Sequence, residues 1–434
     1  MRNKRRLTSG VALSGAILLG ATACGGGGAG TNAPLTLGML MAFSGPSVME
    51  GQEAVNGCLP AEKLINEAGG VLGREVDCQE FDTRGAASDA VPAARQMMST
   101  AGDILSVVGP STAESAAVAP ILDEAAQTMF SVAGDPQFDN NELEHFYRLV
   151  SSDRAGALAM AYYAQQEGFK NIALVFPAGA SAQANVPPLL EAAESLGLNI
   201  VQNMTITAEQ PSYRTEVARM LESNPDAILF ETDAVTAGTF LADLKQGGGA
   251  DIPLVTTIWA YTRDWQDAAI SAYGSSESLQ GVLRMVSRYS DDEGAGVQLF
   301  DETLSSMADQ DGVDYETFGD SVYSRAHYDG AIIAALAATK AGSTESTVFN
   351  KMVRDIVAPG DDKTVVSSYA DGIAAIEAGK EIQYVGANGE ILLNEYNNVI
   401  NPFAVYDWNA ASDRFDVATV FDAEDLAEIN TPGN

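Results

Sequence analysis

The stretch LTLGMLMAF at 35–43, followed by the helical pattern of AEKLINEA at 61–68, EVDCQEFD at 75–82, a second helical pattern through DAVPAARQMM at 89–98 and DILSVVG at 103–109, decides the fold class. Apolar runs of strand length, separated by amphipathic stretches of helix length, describe a βαβαβ path. Its strands are parallel and its helices lie over the sheet faces.

The alternation continues outward from that stretch. A helix is expected from Thr112 to about Ala125, a strand at TMFSVA (128–133) and a helix through ALAMAYYAQQ (157–166). A second run then starts: NIALVF (171–176), NIVQNMTI (199–206), DAILFET (226–232) and IPLVTTI (252–258), with a helical stretch between each and the next. Two doubly wound parallel-sheet lobes follow from this repetition. Further on, long helices are expected through GVQLFDETLSSMA, SVYSRAHYDGAIIAALAATKAG and STVFNKMVRDIV. The segment YVGANGEILLNEYNNVINPFAVYDWN reads as a β-turn at Asn388-Gly389 between strands, ending in the apolar strand PFAVYDW. About 400 residues follow the N-terminal region, too many for one ordinary core. The hydrophobic share of 46% is enough to fill two.

The N-terminus carries a different signal. Arg2, Lys4, Arg5 and Arg6 precede the apolar run VALSGAILLGATA, which is too short to span a bilayer and suits the apolar region of an export signal. Residues 1–23 are therefore expected to be a signal peptide. The run closes with Ala21-Thr22-Ala23-Cys24, which resembles a bacterial lipobox. Cys24 is the expected lipid attachment point, so the chain is expected to be extracytoplasmic and held to the cell membrane as a lipoprotein. GGGGAGTNAP behind it has too few side chains to build a core, and residues 24–34 read as a flexible tether. It is not a phosphate-binding loop, because no strand precedes it.

The formal net charge is −35, and four cations leave with the signal. Nucleic acid is excluded as a partner, since phosphate contacts need a basic face. Two further cysteines, Cys58 and Cys78, fall on a helix and a strand that should be neighbours in one βαβ unit, and an oxidising compartment favours a bridge between them. Catalytic signatures are missing: the two histidines, His145 and His327, read as structural, and no nucleophile elbow, Walker loop or HExxH motif is present. No cofactor and no metal are expected.

With these elements placed, the chain resembles the solute-binding proteins of the branched-chain amino-acid (leucine/isoleucine/valine) ABC transporter type, which have the periplasmic binding protein fold of the first class. The resemblance rests on TLGMLMAFSGP with EGQEAVNG, INEAGGVLGREV, DAVPAARQM, VVGPST with AVAPILDEA, FYRLVSSD, SNPDAILFET, AHYDGAIIAALAATKAG and YVGANGEILLNEYNN. It implies a small-molecule ligand, an ABC transporter permease as partner, and two lobes joined by three crossovers, here near Ser152, Val286 and Ile382. The implied lobes are 35–152 plus 286–381, and 153–285 plus 382–429. A sensor of the same fold, or an exported hydrolase, are the competing classes.

The resemblance also places a ligand cleft where the carboxyl ends of the strands meet helix N-termini. Ser111, Thr112, Ala113 and Glu114 occupy the loop that would receive an amino-acid carboxylate, one residue shorter than the family's. Ser111 and Glu114 also fit an S-x-x-E capping box, so Glu114 is either a cap or a ligand contact. Ala133, Gly134 and Asp135 match a loop whose backbone contacts the amino-acid head group, although Asp135 can equally open a turn with Pro136. Glu50 and the Ala180-Ser181-Ala182 loop stand where the family has tyrosines. Glu231 ends its strand at the cleft, and Trp259 and Tyr261 are candidates for a replacement aromatic wall. Glu50, Glu114 and Glu231 together imply a ligand with a cationic or hydrogen-bond-donating group, unless Arg84 or Arg263 pairs with them.

Overall fold

The computed structural model describes residues 33–289, 294–422 and 426. The expected signal peptide, Cys24 and nearly all of the tether lie outside them.

Five strands form the first sheet: β1 (Leu35–Met41), β2 (Val76–Asp82), β3 (Ile104–Val108), β4 (Met129–Ser131) and β5 (Phe146–Arg148), in the order β2-β1-β3-β4-β5 and all parallel. Helices α1 (Val48–Glu67), α2 (Ala87–Thr100) and α3 (Thr112–Glu124) connect them. Every residue of β1 is buried, which explains why LTLGMLM shows no polar alternation: helices cover both faces of the sheet.

After Ser152, whose hydroxyl caps α4 (Asp153–Gln166) by accepting from the Arg154 amide, the chain builds the second sheet. Its strands β6 (Asn171–Pro177), β7 (Asn199–Ile206), β8 (Ala227–Phe230), β9 (Leu254–Thr256) and β10 (Leu283–Arg288) alternate with α5 (Ala180–Ala184), α6 (Val186–Ser195), α7 (Arg214–Glu222), α8 (Ala234–Gln246) and α9 (Arg263–Tyr273). The order β7-β6-β8-β9-β10 repeats that of the first sheet.

The chain then returns to the first lobe. There α10 (Ala295–Ser306), α11 (Tyr315–Phe318), α12 (Val322–Ala341), α13 (Ser346–Val357) and α14 (Tyr369–Glu377) accompany a small sheet of β11 (Thr364–Val366), β12 (Ile382–Gly386) and β13 (Gly389–Glu390). Residues Ser324–Ala338 of α12 are buried all round. Gly57 of α1 makes its close approach possible, since a Cβ there would stand 2.2 Å from the Ser324 carbonyl oxygen. The hairpin turn falls one residue earlier than expected, because Gly386 pairs with Gly389 and leaves Ala387 and Asn388 at its tip.

Finally β14 (Phe403–Asn409) pairs antiparallel with β10, and β15 (Arg414–Phe421) pairs with β14, completing the second sheet. One expected crossover needs correction. Ile382 does not leave the first lobe: it and Tyr384 are fully buried in that lobe's core with Ile391 and Val399. The segment beyond runs beside β5, with Arg148 N–H donating to Asn397 O and Val399 N–H to Arg148 O. Phe403 is the first residue in the second lobe's core, so the third crossing lies between Val399 and Phe403. Burial of the strand Ile382–Gly386 against α12 and α13 holds it in the first lobe.

Cys58 and Cys78 are bonded, with Cα atoms 6.2 Å apart. Cys58 sits in the middle of α1, and the bond ties that helix to β2.

Candidate functional site

Both sheets have the doubly wound order in which the strand direction of travel reverses, between β1 and β3 and between β6 and β8. Loops leaving those strands diverge there and open a crevice. The loops after β1 and β6 meet: Ser181 Oγ on α5 donates to Glu50 Oε1 on α1 at 3.3 Å. A second contact joins the lobes where Tyr261 Oη donates to Thr317 O at 2.6 Å. Residues of both lobes also line a cleft of about 750 Å³, open solvent space included.

The cleft backs onto the crossovers. Val150, Ser151 and Ser152 line it from the first crossing, Val286, Ser287 and Arg288 from β10, and Phe403 from the third. The second lobe adds Asp153, Gly156 and Met160 of α4, Phe176, Asn185, Glu231 and Trp259; the first lobe adds Val322 and Tyr323 of α12. Arg288 Nη1 donates to the Leu149 carbonyl at 2.9 Å, tying two crossings together. Burial brings its guanidinium down to about 10.

Of the expected ligand residues, Glu231 and Trp259 border this space. Glu231 is 4% exposed, and Asn185 Nδ2 donates to its Oε2 at 3.2 Å. Burial, with some repulsion from Asp153, raises it to about 7. Asp153 is also raised to about 7 by burial, against the opposing pull of Arg148.

The other expected residues are engaged by the protein itself. Glu114 is fully buried and accepts hydrogen bonds from Ser111 Oγ and Thr83 Oγ1. The capping box is not formed: no helix amide donates to the Ser111 side chain, and Glu114 turns inward to accept from the Ser111 hydroxyl instead of reaching back to the cap amide. Ala113 follows Thr112 on the first turn of α3. The Gly134 amide donates to Thr112 Oγ1 at 3.0 Å and the Ala133 amide to Ser131 Oγ at 3.0 Å, so neither N–H is left for a head group. Asp135 Oδ1 accepts from the Gln137 amide and opens the short turn Pro136–Phe138. Arg263 pairs with Asp267 rather than with a cleft acid.

Glu50 is 8% exposed, and its second oxygen is buried with no hydrogen-bond partner. Burial and then the nearby charge of Glu114 raise it to about 7. Next to it Glu53, whose Oε1 accepts from Ser321 at 3.2 Å, is raised to about 8 by burial and by Glu50.

Asp153, Arg288 and Tyr323 were missed by sequence reasoning. A signal existed for Asp153, which directly follows the crossover placed at Ser152. Arg288 and Tyr323 reach the cleft only through the return of the chain. Among the described residues no group of three or more metal-ligating side chains occurs, and no helix is long and apolar enough to cross a membrane.

The profile of the family described as periplasmic binding protein matches residues 34–413. Leu/Ile/Val-binding protein homolog 3 of Brucella melitensis is 24% identical over 56% of this chain and 66% of its own length. Leu/Ile/Val-binding protein BraC3 of Rhizobium johnstonii is 26% identical over 46% of this chain and 54% of its own length. The matched regions thus span less than two thirds of either relative. Among solved structures, the leucine-binding protein LivK of Thermotoga maritima superposes with a TM-score of 0.69 at 17% identity, covering 90% of this chain and 99% of that one. The LivJ substrate-binding protein of Streptococcus pneumoniae, in complex with isoleucine, gives 0.67 at 17% identity, covering 89% and 99%. A solute-binding protein of R. palustris in complex with benzoate gives 0.67 at 14% identity, covering 89% and 96%.

Proposed function

This chain belongs to the periplasmic binding protein family, and from that premise we propose that it is the extracytoplasmic solute-binding protein of an ABC importer, anchored by a lipid on Cys24. It captures an amino acid or related small polar molecule between its lobes and presents it to a permease. One observation carries this reading: the cleft at the crossovers is lined from both lobes, and the lobes are also joined by Glu50 to Ser181 and Tyr261 to Thr317. A solute held there touches both lobes, so its binding energy favours their closure. The similar solved proteins, a leucine-binding protein and complexes with isoleucine and with benzoate, support a small organic solute. The protein binds the solute without turnover.

A thermal-shift screen of the purified body against amino acids, amides, polyamines and aromatic acids tests it, because a ligand of the native state raises the melting temperature by mass action. At least one class should shift the melt in a saturable way. A flat response to every class, with turnover in a hydrolase screen, would replace this reading with an enzymatic one. For the anchor, Cys24→Ala should move the protein from membranes to the soluble fraction without changing ligand affinity.

A further inference from the structure

One wall of the cleft narrows the solute further, and this step rests on the solute-binding reading above. Three arginines are buried among the described residues: Arg148, Arg288 and Arg325. Arg148 pairs with Asp139, and Arg325 with Asp301 and Asp320. Arg288 alone of the three forms no ion pair among the described residues, and it is the one that borders the cleft behind the second crossing. Its Nη1 donates to the Leu149 carbonyl at 2.9 Å, while Nε is buried with no partner. Asp329, the acid whose charge acts on it most, accepts instead from Tyr384 Oη and from the Ala387 and Asn388 amides.

The seat that the resemblance implied for an amino-acid carboxylate is already filled. Ser111, Thr112, Ala133 and Gly134 do not border the cleft. Thr112 Oγ1 and Ser131 Oγ take the Gly134 and Ala133 amides, and the Ser111 hydroxyl is given to Glu114. An anion there would also meet Glu114, whose charge already helps to raise Glu50.

A guanidinium withdrawn from water without an anion is costly, and a cleft that leaves one so placed is complementary to a carboxylate. We infer that the solute carries a carboxylate and that Arg288, on the crossing between the lobes, receives it in place of the N-terminus of α3. With Nη1 held by Leu149, the edge without an acceptor is the one formed by Nε and Nη2, which matches the two oxygens of a carboxylate. Asp153 and Glu231 line the same cleft, but burial keeps both protonated up to about 7. Below that pH they do not repel the anion. Met160, Phe176, Val286 and Phe403 leave an apolar wall for the rest of the solute.

Calorimetry on the whole body, at a pH where Asp153 and Glu231 are protonated, tests this with acids and their primary amides: leucine and leucinamide, isocaproate and isocaproamide, benzoate and benzamide. The members of each pair have nearly one shape and differ in the anionic charge. At least one acid should bind, and about thirtyfold or more tighter than its amide. Arg288→Gln should erase that preference by weakening the acid and leaving the amide as it was; Arg288→Lys, which keeps a cation, should restore part of it. Ser111→Ala should keep the preference whole. Should the Arg288 variants fail to fold, a crystal structure of the wild type with its tightest acid still reports, and the carboxylate should lie on Arg288. A carboxylate seated at the N-terminus of α3, an amide that binds as tightly as its acid, or an acid preference that survives Arg288→Gln would overturn the inference and leave the solute-binding reading intact. So would a broader screen in which only solutes without a carboxylate bind. No binding by any pair or by the broader screen would remove both.

Discussion

The carboxylate of Asp153 occupies the space that a side chain on Gly134 would need: a Cβ built on Gly134 would stand 1.9 Å from Asp153 Oδ1. The two residues are also joined through their backbones, the Asp153 amide donating to the Gly134 carbonyl at 2.7 Å. A loop of the first lobe therefore fixes an acid of the second at the crossing between them. Gly134→Ala forces that carboxylate or the α4 N-terminus to move, and overpacking of this kind costs about 1–3 kcal/mol. The expected result is a lower melting temperature together with weaker solute binding. Unchanged binding in a destabilised protein would show that Asp153 has no part in the site.

Stability of the empty protein should fall as pH rises from 5 to 8. Glu50, Asp153 and Glu231 are raised to about 7 and Glu53 to about 8, all chiefly by burial, and Asp329 to about 6. Between their ordinary values and these, the folded state holds more protons than the unfolded one. The stabilisation is complete below the ordinary carboxylate range and is lost as pH climbs through the raised values. Asp82, Asp226, Asp243 and Asp355 are lowered, so their contribution is present above the ordinary range and disappears only in stronger acid. Melting curves across this window, in wild type and in Glu50→Gln and Glu231→Gln, decide the matter. The substitutions should flatten the slope; a wild-type melting temperature that rises toward pH 8 would contradict it.

The Cys58 to Cys78 bridge closes a loop with a sequence separation of 20, for which chain entropy gives about 3 kcal/mol of stabilisation. The double substitution Cys58→Ala with Cys78→Ala should lower the unfolding free energy by about that amount. Solute affinity should not change, since neither residue borders the cleft. Equal denaturation midpoints with and without the bridge would show that α1 and β2 are held by packing alone.

How much of this was legible in the sequence depends on whether neighbours in the chain or distant segments decide each position. NIVQNMTI and STVFNKMVRDIV were placed to the residue as β7 and a helix of the first lobe, because local periodicity and flanking turns define them. Cys58 and Cys78 could be paired because they belong to one βαβ unit. The crossover near Ile382 was misplaced because burial of that strand depends on α12, and apolar periodicity does not say which lobe buries it. The acids show the same limit. Glu50 reads as a cleft carboxylate, and Glu114 as either a cap or a ligand contact, until Ser181 and Thr83 arrive from elsewhere in the chain to bind them. Asp153 reads as an ordinary helix start until the crossings place it against the cleft.

The two side-chain contacts Tyr261 to Thr317 and Ser181 to Glu50 should set how far the empty protein stays closed. Tyr261 Oη donates to Thr317 O, and Ser181 Oγ donates to Glu50 Oε1. Each joins a residue of one lobe to a residue of the other. Tyr261→Phe keeps the ring but removes the hydroxyl, and Ser181→Ala removes the donor to Glu50. A net hydrogen bond contributes about 0.5–1.5 kcal/mol, and about 1.4 kcal/mol changes a two-state ratio tenfold. The double variant should therefore move the empty protein toward the open form, seen as a larger radius of gyration in small-angle scattering. Saturating solute should restore the wild-type envelope, at a solute concentration about tenfold higher or more, because closure now draws on binding energy alone. Should the empty double variant scatter as the wild type does, the lobes are held together by the crossings, and these two contacts follow closure without favouring it.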